Sequence, residues 1–350
     1  MVRRITIKDI ARQAGVSPQT VSRALNNKSE IHPETQARVL RIAKQLGYRP
    51  NSVARSLATQ RTRNIGLVVP DVSNPFFASV ARGIQDAAHQ NQYNVFLCNT
   101  DENAEREQSA ILSLEAQRVD GILLCSSRLP EPDLLQLAER YQPLVLVNRS
   151  IAHPQTGCVL VDDARAMQEA VQYLIDLGHQ RIGLLAGPTK SHSGQQRTQG
   201  YYRAMRDANL DPPSKWQIPC PPQVDGGQAA ARELLKRAPE LTVLVAYNDL
   251  VAVGALRACA ELELRVPTDC AILGCDDVLL AALVSPPLTT IHIPTYELGQ
   301  RATGLLLEMM EPKAARANAQ PEPITVSPSL VVRGSTSRPK PRLNVERNTL

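Results

Sequence analysis

Two spacings of apolar residues divide the chain. Up to about residue 49 the apolar positions recur every three to four residues in short runs, as they do along one face of a helix. Ile7, Ile10, Ala11 and Ala14 form the first such face, Val21, Ala24 and Leu25 the second, and Val39, Ile42, Ala43 and Leu46 the third. From Asn64 the pattern changes to compact apolar runs: NIGLVVP, YNVFLC, DGILLC and PLVLVN, then CVLV, RIGLLA, TVLVAY, CAILGC, TTIHI and ITVSPSLVV. Amphipathic stretches of helical period fill the intervals between them. Alternating strands and helices predict parallel sheets covered on both faces. Two such series predict two Rossmann-like subdomains with a ligand cleft at the carboxyl ends of their strands.

The first two helical faces are bounded by strong end signals. Thr6 followed three residues later by Asp9 fits a capping box. Gly15 suits a helix end, Ser17 is a second N-cap, and Pro18 occupies a first helical position, where it loses no hydrogen bond. A new helix therefore starts three residues after the first ends, as in a helix-turn-helix. Its outer face carries Gln19, Thr20, Ser22, Arg23 and Asn26. Gln pairs with adenine and Arg with guanine in the major groove, while Ser and Thr suit bases or phosphates, so this second helix is the one expected to enter the groove.

A helical hairpin that only packs gives the same spacing, and charge separates the two readings. Residues 1–63 hold 13 Lys and Arg against Asp9, Glu30 and Glu34, a balance of +10. With +5 on the whole chain, the remainder carries −5. Positive charge is concentrated where phosphates must be neutralised.

Composition narrows the class further. A chain of 350 residues is long for one core and predicts two or three domains. Hydrophobic content of 43% with 21% charged residues is that of a globular protein. No apolar run reaches bilayer length, and MVRRITIKDI has no apolar segment behind its basic residues, so no secretory signal, no membrane partner and a cytoplasmic location are expected. Seven scattered cysteines without a CxxC pair read as reduced thiols. The six histidines show no metal spacing, GPTKSHSG lacks the GK[ST] of a phosphate loop, and no GxGxxG follows a strand. No nucleophile elbow or paired-carboxylate motif is present either, so neither an enzyme, a metal site nor a cofactor is expected.

Between headpiece and body lies RPNSVARSLA, from Arg49 to Ala58, enough for two turns of helix that would be marginal alone in water. Headpiece, this segment and body together resemble the lactose/galactose repressor family from Thr6 to about Gly334, with PNSVARSLAT and RVDGILL closest to the purine repressors. The resemblance implies an all-α helix-turn-helix headpiece over 1–49 and a hinge helix and linker over 50–63. It implies an α/β body over 64–334 with the fold of periplasmic sugar-binding proteins and three crossovers. The N-lobe would hold about 64–161 and 294–322, the C-lobe about 162–291 and 323–334. It also implies a homodimer on a pseudo-palindromic operator, with Leu57 wedged into the minor groove and Thr6, His32 and Ala54 among the DNA contacts. The residues after Gly334, STSRPKPRLNVERNTL, have no leucine heptads and read as a disordered basic tail over 335–350, without the tetramerising coiled coil of the lactose repressor.

Polar and aromatic residues cluster just past the predicted strand ends. They are Asp71, Asn74, Phe76 and Phe77, then Asn148 and Arg149, Ser191, Ser193 and Arg197, Asn248 and Asp249, Asp276 and finally His292. Together they outline a polar pocket with aromatic walls, suited to a sugar. The set resembles the ribose-binding proteins at Asn74, Phe76, Phe77, Arg149, Arg197, Asn248 and Asp276, with His292 where those proteins use Gln. It resembles the purine repressors at Phe76, Phe77 and Asp276, but Ser191 stands where they have a purine-contacting Arg. The favoured reading is a repressor with a sugar or sugar-like effector. A purine- or nucleoside-responsive regulator is the alternative, and a plain sugar-binding protein is a more distant one. Asn248 and Asp249 also fit a simple helix cap, and Arg197 a structural ion pair.

Overall fold

The computed structural model describes residues 5–25, 31–48, 61–141, 143–311 and 322–339. The chain divides after Thr62 into two compact units. Asn26, most of the expected hinge, Ala54 and Leu57 lie outside the described residues.

The first unit holds α1 (Ile7–Ala14), α2 (Pro18–Leu25) and α3 (Pro33–Gln45). At the start of α1 the Thr6 amide and hydroxyl both donate to the Asp9 carboxylate, at 2.9 and 2.7 Å. Its end is Gly15, at φ 66°, a left-handed conformation that glycine adopts without strain. Ile10, Ala11, Ala14, Val21, Ala24, Val39, Ile42 and Ala43 bury together as the core, drawn from all three apolar faces.

In the second unit two six-stranded sheets stand side by side. The first comprises β1 (Asn64–Val69), β2 (Asn94–Asn99), β3 (Gly121–Cys125), β4 (Leu144–Val147), β5 (Thr156–Val161) and β11 (Ile324–Val326). The second comprises β6 (Ile182–Ala186), β7 (Gln217–Pro219), β8 (Val243–Ala246), β9 (Ala271–Asp276), β10 (Thr289–His292) and β12 (Ser329–Val331). Their orders are β2-β1-β3-β4-β5-β11 and β7-β6-β8-β9-β10-β12. All pairs are parallel except β12, which runs antiparallel to β10. The helices are α4 (Pro75–Gln90), α5 (Ala104–Ala116), α6 (Glu131–Arg140), α7 (Asp163–Asp176), α8 (His192–Asp207), α9 (Val224–Arg237), α10 (Asp249–Glu261), α11 (Leu279–Leu283) and α12 (Thr295–Met309). Where α4 meets α12 the backbones nearly touch: a β-carbon on Gly83 would lie 2.1 Å from the Tyr296 carbonyl oxygen. Only glycine admits that approach, and it ties the returning helix α12 to the N-lobe.

The chain passes between lobes three times, between β5 and α7, between β10 and α12, and between β11 and β12. The last of these corrects the expected boundary. ITVSPSLVV is not one C-lobe strand: Ile324–Val326 pairs with β5 in the N-lobe and Ser329–Val331 with β10 in the C-lobe. Pro328 sits at the break, where its missing N–H cannot continue a ladder. The N-lobe therefore includes 324–326. The three-residue edge strand β7 and the five-residue α11 were not anticipated, being too short for a period to register.

A second correction concerns the tail. Residues 335–339 begin with buried Ser335 and Thr336, Ser335 fully so. Its hydroxyl donates to the Ile272 carbonyl at 2.6 Å and accepts from the Thr289 amide at 2.8 Å, and its own carbonyl accepts from the Ile272 amide. Further along, buried His179 bridges Thr242 Oγ1 at 2.8 Å and the Ser337 carbonyl at 2.9 Å. Burial lowers the pKa of this imidazole, favouring the neutral ring. Polar residues that suit disorder by composition here serve as hydrogen-bond partners for the sheet.

Candidate functional site

In each sheet the strand order reverses once, between β1 and β3 and between β6 and β8. Loops part at such a switch point and leave a crevice at the carboxyl ends. One cleft collects residues from these ends: Asn74, Phe76 and Phe77 after β1, Ser126 after β3 and Asn148 after β4. From the C-lobe come Ser193 after β6, Tyr247 and Asn248 after β8, and Asp276 at the end of β9. Glu102, Arg197 and Pro222 complete the lining, around about 320 Å³ of unfilled space that includes the open mouth.

Local structure sets each side chain. Asn74 caps α4, accepting the Phe76 amide at 3.0 Å, and the helix then presents Phe76 and Phe77 edge to face, with centroids 5.0 Å apart. Three lining residues hold positive φ: Ser126 at 47°, Asn148 at 56° and Asp276 at 112°. Such a backbone costs a non-glycine residue about 1 to 3 kcal/mol, and all three occur where the chain leaves a strand beside the cleft.

The C-lobe wall is organised by Arg197, which is 5% exposed. Its Nε donates to Asp163 at 2.7 Å, Nη1 to the Tyr247 carbonyl at 2.6 Å and Nη2 to Asp276 at 3.3 Å. The guanidinium also lies 5.1 Å from the centre of the Tyr247 ring, whose hydroxyl meets Ser191 Oγ at 3.0 Å. Burial pushes the Asp276 carboxyl up to about 8 against the pull of Arg197. Asp249 rises to about 7, also by burial; it accepts from the Thr290 hydroxyl and the Val278 amide.

The N-lobe wall is less saturated. Arg128 is buried and bonds Glu102 and the Ser126 carbonyl, the latter at 2.7 Å. The Asn148 Oδ1 and Arg149 Nε atoms, at the end of β4, are buried with no hydrogen-bond partner among the described residues.

Two family models match the chain: bacterial regulatory proteins of the lacI family over residues 6–51, and the periplasmic binding proteins and sugar binding domain of the LacI family over 62–327. The chain belongs to the LacI family. It is a DNA-binding transcriptional repressor with an effector-binding domain, from a non-enzymatic family. It is 36% identical to the HTH-type transcriptional regulator GalS of Salmonella typhimurium, over 87% of this chain and 89% of that protein. Identity to the HTH-type transcriptional repressor PurR of Mannheimia succiniciproducens is 34%, over 95% and 99%. The crystal structure of the lac repressor dimer bound to operator and the anti-inducer ONPF superposes with a TM-score of 0.85 at 28% identity, covering 96% of this chain and all of that one. Among the described residues no helix is long and apolar enough to cross a membrane.

Within this LacI-family cleft, seven of the expected effector residues come together: Asn74, Phe76, Phe77, Ser193, Arg197, Asn248 and Asp276. Arg149, Ser191 and His292 are not among the lining residues. Arg149 Nη1 lies 3.3 Å from His192 Nδ1. Ser191 caps α8 through the Gly194 amide. The His292 ring faces the Asp277 carboxylate at 3.0 Å, and Arg333 holds the same carboxylate at 2.6 Å. Asn248 is a true cap as well as a lining residue, accepting the Val251 amide and donating to the Pro222 carbonyl. Glu102, Ser126, Pro222 and Tyr247 were not in the expected set. Ser126 directly follows DGILLC and Tyr247 closes TVLVAY, so the strand-end rule applied evenly finds both.

In the headpiece, Ser17 Oγ accepts the Thr20 amide at 3.0 Å and meets the Thr20 hydroxyl at 2.9 Å. Thr6, Ser17, Pro18, Gln19, Arg23 and His32 are exposed, and Thr20 and Ser22 half-buried. Gln19 and Arg23 stand four residues apart on α2, one helical turn along one face.

Proposed function

We propose that this repressor binds a pseudo-palindromic operator as a homodimer, and that a sugar or sugar-like effector in the interlobe cleft sets its operator affinity. The observation that carries this reading is the cleft itself, where the Phe76–Phe77 pair faces the Arg197–Asp276 system across the two switch points. Aromatic edges and faces suit the apolar patches of a sugar, and fixed polar groups suit its hydroxyls. The description of the family model over 62–327 as a sugar binding domain supports the same class.

On the DNA side, α2 enters the major groove, with Gln19 and Arg23 reading base edges. Thr6, Ser17, Thr20, Ser22 and His32 fix the register through contacts to the DNA backbone, and Pro18, which has no donor, adds apolar contact only. Ala54 and Leu57 extend the set by family resemblance. The second copy packs on the face of α11 that carries Leu279 and Leu283, 77% and 71% exposed; the superposed lac repressor is itself a dimer. Operator DNA as partner places the work in the cytoplasm. Cleft and operator are coupled by linkage: effector binding shifts operator affinity by its preference between two lobe arrangements, about 1 to 3 kcal/mol per coupled site.

Thermal-shift measurement of the full chain with pentoses, hexoses and purines tests the effector class. A sugar at 100 times its dissociation constant should stabilise by about 2.7 kcal/mol, and stabilisation by purines alone would assign the cleft to them instead. On the DNA side, Gln19→Ala should relax preference at one base position per half-site at a cost of about 1 to 3 kcal/mol. A loss uniform across sequences would make Gln19 a phosphate contact.

A further inference from the structure

A second groove lies at the opposite ends of the C-lobe strands from the cleft. Leu241 leads into β8, Leu235 and Pro239 come from the end of α9 and just past it, and Leu262, Leu264 and Pro267 follow α10. They surround about 1130 Å³ of unfilled space that includes the open mouth, where the cleft has about 320 Å³. Leu262, Leu264 and Pro267 are half-buried, so the walls leave apolar surface in contact with water, as interaction sites do. The chain itself leads into this groove. Past β12 the last described residues cross the starts of the C-lobe strands in turn. Ser335 is bonded to Thr289 and Ile272, Thr336 Oγ1 meets the Thr289 hydroxyl at 2.7 Å and the Tyr173 hydroxyl at 3.0 Å, and the Ser337 carbonyl faces His179, shortly before β6. Pro339, two residues on, is the last described residue and forms part of the groove lining.

Residues 340–350 lie outside the described residues, and their sequence carries a period. From Pro339 the chain reads PKPRLNVE, with Pro339, Pro341, Leu343 and Val345 alternating with Lys340, Arg342, Asn344 and Glu346. Alternate side chains of an extended chain share a face. The face that Pro339 gives to the groove therefore continues as Pro341, Leu343 and Val345, with the polar set on the other side. The two prolines fix their own φ at about −65°, and Pro341 pushes Lys340 toward extended backbone, which leaves less freedom to lose on ordering. Leu343 follows Pro339 by at most about 14 Å of chain. A segment tethered this closely meets the groove at an effective concentration on the order of 1 mM.

We infer that residues 340–346 seat in this groove of their own chain as an extended segment, with Leu343 and Val345 against Leu235, Leu241, Leu262 and Leu264. Seated there, the segment covers the apolar walls and keeps them from pairing with another copy. The groove is separate from the cleft, and its occupant does not depend on which effector binds there.

Hydroxyl-radical footprinting of the full chain, read residue by residue by mass spectrometry, measures the exposure of both partners. The references are a free peptide of residues 338–350 and the full-length variant Leu343→Asp/Val345→Asp. At an effective concentration on the order of 1 mM, a contact with a dissociation constant of about 0.1 mM is about nine-tenths occupied, so Leu343 should be labelled about tenfold more slowly in the chain than in the peptide. Leu262 and Leu264 should be labelled faster in the variant than in the native chain, because the charged residues leave the groove open. Equal labelling of Leu343 in chain and peptide overturns the inference. Protection of Leu343 that disappears on dilution assigns the groove to the tail of a second copy and overturns it too. So does labelling of Leu262 and Leu264 that is the same in native chain and variant, since the tail would then cover nothing there.

Discussion

The two walls of the cleft are built on the same topology and finished differently. On the C-lobe side, Arg197, Asp163, Asp276, Tyr247 and Ser191 satisfy one another in a buried network that exists without any ligand. On the N-lobe side, Phe76 and Phe77 offer ring surface, while Asn148 Oδ1 is left without a partner among the described residues. One wall is pre-organised, so little ordering is needed when a ligand arrives. The other carries unmet hydrogen-bonding capacity, which a ligand can satisfy and which favours closure once it is bound. A ligand switch needs both: a fixed reference surface, and a surface whose energy changes on binding.

The largest expected effect comes from breaking the saturated wall. Arg197→Met should destabilise the body by about 3 to 5 kcal/mol, because it strands two buried carboxylates. Urea unfolding measures it, and a loss below 1 kcal/mol would mean that the network is not what holds this wall. A smaller effect is a pH dependence. Asp276 titrates near 8 in the folded chain against a usual 3.8, so the folded state holds its proton more tightly than the unfolded state does. Stability should therefore fall as pH rises from about 4 to 8 and level off above. Asp276→Asn should flatten that slope, with Asp249, near 7, contributing what remains; an identical slope in the variant would separate Asp276 from the effect. The smallest change is on the unsaturated wall. Asn148→Leu deletes an unpartnered buried acceptor but places at φ 56° a side chain that tolerates the left-handed backbone less well than Asn, so the two terms offset: ligand-free stability should change by less than about 1 kcal/mol while sugar affinity falls about tenfold. Loss of stability without loss of affinity would reverse the contrast between the walls.

Much of this architecture is legible in the chain because it repeats a pattern. Ten apolar runs alternating with helical stretches specify two parallel sheets, and residues just past strand ends specify a cleft, so Asn74, Phe76, Phe77, Arg197 and Asp276 are found from position alone. What escaped depends on events that pattern does not carry. Pro328 divides one apparent strand between two sheets, since a missing amide ends a ladder whatever the hydropathy on either side. Ser335 looks like tail by composition and is buried because the sheet needs its hydroxyl. His292 sits at a strand end yet is drawn to Asp277, whose carboxylate it shares with Arg333 at the crossover. Strand-end position says that a residue is near the cleft, and local charge decides whether it faces it.

The central claim is that the cleft controls DNA binding through the contacts of Asp276. The direct measurement is the affinity of the full chain for a DNA sequence selected by it from a random pool, with and without the sugar that binds most tightly, in the native chain and in Asp276→Asn. The account predicts a shift of about tenfold in the native chain and none in a folded Asp276→Asn chain that still binds the DNA. An equal shift in both would contradict it.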